Sequence, residues 1–400
     1  MTNPQSVLLG LLSRALFGGE TELPETDWEV VLSEASAQTV IALAHSAIPK
    51  DLLSGDEAAR WEQKAVAAVG NSIRVTCQHE ALHTWLTESE IPYVVLKGCS
   101  SAHYYPEPLL RAMGDVDFLV PKECLPAAGA LLGKNGFEAW KEEHGTHIVY
   151  RRSGVSYEMH FDLPGMPKGR PGKVIRTYFS DIYEKAVTVK ADQGEVILPS
   201  LFHHGLILLL HSCHHLTGEG IGLRHLCDWA VFESSLSEEA FRETFEEKLR
   251  AVGLWTFARV LTRVCIRYLA APERAWATCD AALADALAED ILFGGNFGKK
   301  DSARAMESHL ISDRGKSGVG KNGMGTQFFR SVNEVIRSQW APARRHGILL
   351  PAGWVYFGCR RLFREWTGKR TKTEIGRTLK DASRRRDLYR ELKLYEGEEE

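Results

Sequence analysis

Apolar residues recur at three- and four-residue steps through the first 88 positions, the period of helices with one buried face. Trp28, Val31, Leu32, Ala35 and Val40 fall on one such face, and Asp27 stands where an N-cap carboxylate is favoured. A longer helix is predicted from Asp56 to Glu88, with no proline inside it. At Ile91-Pro92 the period changes. YVVLK at 93–97 predicts a short strand, and DVDFLV at 115–120 predicts a second, ended by Pro121. Between them SSAHYYPEP reads as a turn or short helix closed by Pro106 and Pro108. CLPAAGALLGKNGF predicts a helix with a glycine C-cap near Gly136. HIVYRR and VSYEMHF, joined by Ser153-Gly154, predict a hairpin, and EVIL before Pro199 predicts a last strand. From Ser200 the helical period returns in four consecutive stripes.

This order predicts an α+β chain. A small mixed-sheet core at 89–198 is flanked by a helical N-terminal lobe at 1–88 and a helical C-terminal lobe at 199–400. The latter carries a glycine-rich loop at 294–326 and a basic C-terminal segment. Four hundred residues suffice for two or three domains. A net charge of -3 offers no wholesale attraction to nucleic acid or acidic membranes. Residues 1–19 lack a basic region ahead of their short apolar run, which Arg14 interrupts, so an amphipathic helix is expected there rather than a signal peptide. No stretch approaches the roughly 20 apolar residues of a membrane helix. The eight cysteines are scattered without a C-x-x-C pair, which fits reduced thiols and a cytoplasmic location.

Chemistry is concentrated in DVDFLV. Side chains two apart on a strand share a face, so Asp115 and Asp117 project together while Val116 and Phe118 face the core. A bare D-x-D also suits a solvated surface strand. Here, however, a second acidic strand follows, in which Glu158, His160 and Asp162 alternate onto one face. Adjacent carboxylates repel one another unless a hard divalent cation lies between them. Three of them suffice for a two-metal site, where one ion lowers the pKa of an attacking hydroxyl and the other neutralises a leaving pyrophosphate. Glu158 is preferred over Asp162 as the third, because Pro164 soon ends the strand.

Leu96-Lys97-Gly98, the tyrosine-proline stretch ending in Arg111, Gly114 through Val120, and Glu158-Met159-His160 together resemble the uncharacterised nucleotidyltransferase family, within the polymerase-beta-like superfamily. The resemblance extends over most of the chain, since helical lobes on both sides are also typical. It implies that Asp115, Asp117 and Glu158 are the metal carboxylates, that Mg2+ (or Mn2+) is the cofactor, and that an NTP such as ATP is the substrate. Gly98 matches the glycine that lets the triphosphate approach the backbone. The superfamily's Gly-Ser or Gly-Gly is replaced here by Lys97-Gly98-Cys99-Ser100, which leaves Gly98 and Ser100 at the nucleotide. Lys97 and Arg111 are candidate phosphate contacts, as cations pair directly with phosphate oxygens. A small-molecule, sugar or peptide acceptor is favoured over nucleic acid; base preference and oligomeric state are not indicated.

His203, His204, His211, His214, His215 and His225 form a cluster, with His211 and His215 one helical turn apart. The H-E-x-x-H and His-Asp signatures of metal hydrolases are missing, so this helix is expected to pack on the core. His160, Asp162, His211, Arg224 and Asp228 are expected to line the cleft. Arg224 and Asp228 also have the spacing of an internal ion pair. Gly315–Asn322 imitates a P-loop but ends in Asn and lacks a strand before it. Arg384-Arg385-Arg386 with Tyr389 and Tyr395 suits a solvated face better than an RNA contact, and Trp354, Tyr356, Phe357 and Trp366 suit packing. Besides nucleotidyl transfer, two other functions fit: a catalytically degenerate nucleotide-binding protein on the same scaffold, and a histidine-metal hydrolase.

Overall fold

The computed structural model describes residues 1–19, 22–140, 145–190, 194–300, 347–356 and 384–396, with single positions 333, 336 and 340. The P-loop-like run at 315–322, Phe357 and Trp366 lie outside the described residues. Four helices come first: α1 (Asn3–Phe17), α2 (Trp28–Gln38), α3 (Ile41–Ser46) and α4 (Gly55–Glu88). Asp27 caps α2, its carboxylate accepting the N–H groups of Glu29 and Val30. The 34 residues of α4 span about 50 Å.

A five-stranded sheet follows, in the order β1-β2-β5-β4-β3. Its members are β1 (Val94–Val95), β2 (Val116–Leu119), β3 (Glu138–Ala139), β4 (His147–Arg152) and β5 (Val155–His160). Helix α5 (Cys99–Ala102) lies between β1 and β2, and α6 (Leu125–Lys134) between β2 and β3. β2 and β5 run parallel, with Asp117 opposite Glu158; the other pairs are antiparallel, so the sheet is mixed. The β4–β5 hairpin turns on Ser153 (φ 49°) and Gly154 (φ 77°), two consecutive left-handed residues as a type I′ turn needs. That turn sets the register, placing His147 opposite His160. EVIL does form a strand, β7 (Glu195–Leu198), but it departs from the expected sheet. It pairs with β6 (Val187–Lys190) in a separate ribbon after α7 (Gly169–Tyr178), and packs on β1 and α4.

Two hydrophobic cores result. One lies between the sheet, α6 and the second half of α4, with Val75, Leu82, Leu86, Val116, Phe118 and Met159 inside it. Phe118 meets Tyr157 edge-on, and Tyr157 stacks on Phe137 at 4.3 Å. The other core joins α1–α3 to α8 (Leu201–Thr217), α9 (Leu223–Ser234), α10 (Glu238–Ala251), α11 (Trp255–Leu269) and α12 (Ala281–Gly294). Helices from both ends of the chain therefore share one interior. Trp61 of α4 is buried in it, so α4 bridges the two cores. In the basic C-terminal segment, Arg385 is buried, donating to the Leu216 carbonyl and to Tyr389 Oη. Its neighbour Arg384 pairs with Glu289. These two arginines are engaged with the protein itself.

Candidate active site

The acids sit on two neighbouring parallel strands, β2 and β5. Asp115 is exposed just ahead of β2, and Asp117 is buried within it at 6% exposure. Glu158, half-buried on β5, is the cross-strand neighbour of Asp117. Lys97, directly after β1, reaches in with Nζ 2.7 Å from Asp117 Oδ1. His160 Nε2 lies 3.1 Å from the same oxygen and 3.5 Å from Glu158 Oε2. Burial by itself would push the Asp117 carboxyl up, but Lys97 and His160 outweigh it and hold the group well below the usual carboxylate range. Although the residue as a whole is exposed, the Asp115 carboxyl is raised, first by the partial loss of its hydration against the protein and then by the neighbouring Asp117 and Glu158 charges. His160 is lowered by burial but lifted further by its bonds to Asp117 and Glu158, so its net shift is upward. Mutually repelling carboxylates on adjacent strands, already drawing a lysine and a histidine toward them, are a donor set that fits a divalent cation. Among the described residues, the tightest group of potential ligands is His147, Glu158 and His160, whose donor atoms all lie within 4.8 Å of one another.

The loop after β1 turns on Gly98, at φ 68° and ψ -111°, where a side chain would be strained. A Cβ there would stand 3.1 Å from His79 Nε2. His79, on α4, is fully buried, lowered by burial to about 4, and without a hydrogen-bond partner at either ring nitrogen. Gly98→Ala is expected to lower stability by about 1–3 kcal/mol, read as a fall in thermal midpoint. An unchanged midpoint would show that the loop relaxes freely. Helix α4 also steadies the stretch before β2, where Asn71 donates to the Met113 carbonyl and Ser72 to that of Arg111.

Helices α8 and α9 close the other side. A cavity of about 140 Å³ is lined by Lys97, Gly98, Ser101, Asp115, Asp117, His211, Arg224 and His225, among others. His211 and His225 are neutral, pushed well below their ordinary value first by burial and then by the surrounding cations. Arg224 faces this space with Nε unpartnered, NH1 3.5 Å from the Ala112 carbonyl, and its guanidinium 5.5 Å from the Phe297 ring. A second cavity of about 430 Å³ lies over the hairpin, with Asp115, His147 and Glu158 among its walls. Asp115 borders both. A larger one, about 570 Å³, between α1, α12 and residues 384–391 shares no residue with either.

Several expectations change. Arg111, expected at phosphate, lines the inner cavity together with Asp228, but its guanidinium is already held by that carboxylate through two bonds, Nε to Oδ1 at 2.8 Å and NH2 to Oδ2 at 2.7 Å. Burial pulls its guanidinium down, but Asp228 lifts it higher still. Asp228 therefore pairs with Arg111 and with Tyr105 Oη at 2.7 Å, and not with Arg224 one turn away. Ser100 is buried against His204, with Oγ 3.3 Å from Nδ1, whereas Ser101 lines the cavity with its hydroxyl buried and unpartnered. Asp162 lies beyond β5, bonded to Arg176 at 2.6 Å and away from the other acids. The close metal-ligand group does not include His211 or His215, whose rings pack 4.3 Å apart.

Three contributors were missed in the sequence. Val75, His79, Leu82 and Leu86 follow a helical stripe, which foretells burial of His79 but not its neighbour. Ser101 stands one residue too far along to be singled out. His147 was within reach: counting back from the Ser153-Gly154 turn pairs it with His160.

The profile of the family described as uncharacterised nucleotidyltransferase matches residues 24–270, which contain every acid and cation of this site. No curated protein matches the chain. Among solved structures, an antigenic nucleotidyltransferase-like protein from Paracoccidioides brasiliensis is similar at 16% identity and a TM-score of 0.33, covering 51% of this chain and 95% of that one. With more than half its length matched, and with the acids and the glycine loop together in space, this chain belongs to the uncharacterised nucleotidyltransferase family.

Proposed function

We propose that this protein is a divalent-metal-dependent nucleotidyltransferase, moving a nucleoside monophosphate from an NTP to an acceptor hydroxyl or phosphate with release of pyrophosphate. The observation that carries the reading is the pairing of Asp117 with Glu158 across parallel strands, with Asp115 two residues before, beside the loop headed by Gly98. Asp115, Asp117 and Glu158 would hold the ion, Mg2+ or Mn2+ by the family's chemistry. Bound there, it supplies charge neutralisation at phosphate and acidifies an attacking hydroxyl. The chain's own part is positioning and electrostatics. Lys97, Ser101 and Arg224 line the inner cavity and offer cationic and hydroxyl donors to a polyphosphate. The hairpin-side cavity, sharing Asp115, suits the acceptor; its modest size favours a small molecule, sugar or peptide end over a duplex. No described helix is long and apolar enough to cross a membrane. A cytoplasmic setting is part of the proposal.

The test is pyrophosphate release from a panel of NTPs with Mg2+ or Mn2+ and a panel of acceptors (sugars, sugar phosphates, peptides), comparing wild type with Asp117→Asn and Asp115→Asn. Each variant should lose roughly 10²–10³-fold in rate. Because Asp115 is exposed, its variant leaves the buried Lys97–Asp117–His160 contacts in place. Undiminished release in both refutes the assignment. Lys97 seated on Asp117 also favours a second reading, a nucleotide-binding protein without turnover, in which the lysine takes the cation's place. Calorimetry showing NTP binding that is unaffected by metal, with no pyrophosphate released, would decide for it.

A further inference from the structure

The outer end of the acidic site differs from an all-oxygen cation position. Glu158 is neighboured by two imidazoles, with its Oε2 3.5 Å from His160 Nε2 and 4.0 Å from His147 Nε2. Two atoms bound to one ion at about 2.1 Å each can be no more than about 4.2 Å apart. Both separations from Glu158 fall inside that limit, and the donor atoms of the two histidines, within 4.8 Å of each other, need close by no more than a few tenths of an ångström, about the play of a side-chain rotation. The arrangement follows from the sheet. His147 and His160 are cross-strand partners in the hairpin, and Glu158 lies two residues from His160 on the same face. Thr146 Oγ1 is 3.2 Å from His147 Nδ1, and a proton held on that nitrogen leaves the Nε2 lone pair toward Glu158. The two imidazoles are the only ion-pair partners of Glu158 among the described residues. The 430 Å³ cavity, walled by His147 and Glu158, gives an ion a route from solvent.

We propose that His147, Glu158 and His160 form a two-histidine, one-carboxylate site for a first-row transition dication such as Zn2+, Co2+ or Fe2+, in preference to Mg2+. Imidazole nitrogen suits these ions, whereas Mg2+ takes oxygen donors and retains its waters. The proposal adds nitrogen ligands to one of the acids assigned to nucleotidyl transfer. It concerns the ion and not the reaction, and it stands or falls without nucleotide.

Cobalt is the probe. Metal-free full-length protein titrated with Co2+ should bind one ion with strong visible ligand-field absorption and no thiolate charge-transfer band. Excess Mg2+ should leave the spectrum unchanged, and one equivalent of Zn2+ should abolish it. His147→Ala should weaken Co2+ binding at least about tenfold while changing Mg2+ affinity little. The side chain of His147 is 17% exposed and at a strand start, and circular dichroism checks that the variant is folded. Spectra lost in His215→Ala but retained in His147→Ala would put the ion in the α8 cluster and overturn the proposal. Spectra lost in Asp115→Asn but retained in His147→Ala would put it on the carboxylates and overturn it equally. So would weak octahedral spectra displaced by Mg2+. Cobalt binding as expected with no pyrophosphate release for any NTP and acceptor in the panel refutes the transferase reading and leaves this site standing. Magnesium-supported release with no imidazole-ligated cobalt does the reverse.

Discussion

Asp228→Ala will cost the folded state about 3–5 kcal/mol, because it strands a buried guanidinium. Asp228, Arg111 and Tyr105 are each 5% exposed, and the carboxylate accepts two bonds from Arg111 and one from Tyr105. Removing it leaves the Arg111 charge uncompensated, with one bond remaining from NH1 to the Ala112 carbonyl, and takes from the Tyr105 hydroxyl its acceptor, at the wall of the inner cavity. Replacing both members of the ion pair by apolar residues, as in Arg111→Met with Asp228→Leu, should recover much of the loss, since two desolvated charges are then removed together. A double-mutant cycle by chemical denaturation measures this directly. A loss below about 1 kcal/mol in Asp228→Ala would mean that water reaches the pair. The consequence extends to the site. The Arg111 carbonyl receives the Ser72 hydroxyl, and the chain from Arg111 leads within four residues to Asp115, so loosening it will disorder the entry to the acids.

Acid will unfold the protein early, well before its carboxylates are neutralised. His79, His204, His211 and His225 are all buried, and burial is the first cause of a lowered pKa in each. His79 is brought to about 4 and His204 to about 3, with His211 and His225 also well below normal. A histidine whose folded pKa is depressed stabilises the fold above its unfolded value and loses that contribution as pH falls toward the folded one. The loss therefore begins near pH 6.5 and continues down to about 4. Two groups act in the opposite sense. His160 is raised, and Glu233 is pushed up to about 7, chiefly by burial against the pull of Arg274. His215 is likewise brought to about 3, first by burial, and His160, being raised, subtracts little below pH 6.5. Five depressed histidines less Glu233 give a net uptake of about four protons on unfolding, roughly 5 kcal/mol per pH unit. Against a typical total of about 5–15 kcal/mol, most of the stability should be gone between pH 6.5 and about 4.5. Urea midpoints across that range give the slope, and His79→Leu should flatten it by about one proton. A midpoint that stays constant from pH 7 to 5 would show that these histidines are hydrated in the folded protein.

Much of the site was written in local pattern. Period-two alternation in DVDFLV and VSYEMHF sorted acids from core residues, and Ser153-Gly154 set the hairpin. Such features depend on neighbours within a few positions, where backbone geometry is nearly determined by residue type. The helical stripes likewise foretold which faces are buried. What each buried polar group would meet was not there to be read. Arg224 is one turn from Asp228, yet Arg111, more than a hundred positions earlier, takes that carboxylate. Ser100 was favoured over Ser101, and the orientation of a four-residue helix decided otherwise. His79 comes to Gly98 only because α4 crosses behind the sheet.

By itself, then, the sequence determined the α+β order of elements, the hairpin, and the placing of Asp115, Asp117 and Glu158 at the same face of two strands, because these rest on short-range periodicity. Tertiary structure alone decided that Lys97 closes on Asp117 and that Asp228 claims Arg111. Charges buried together must find partners in three dimensions, and which partner is nearest depends on how distant segments pack.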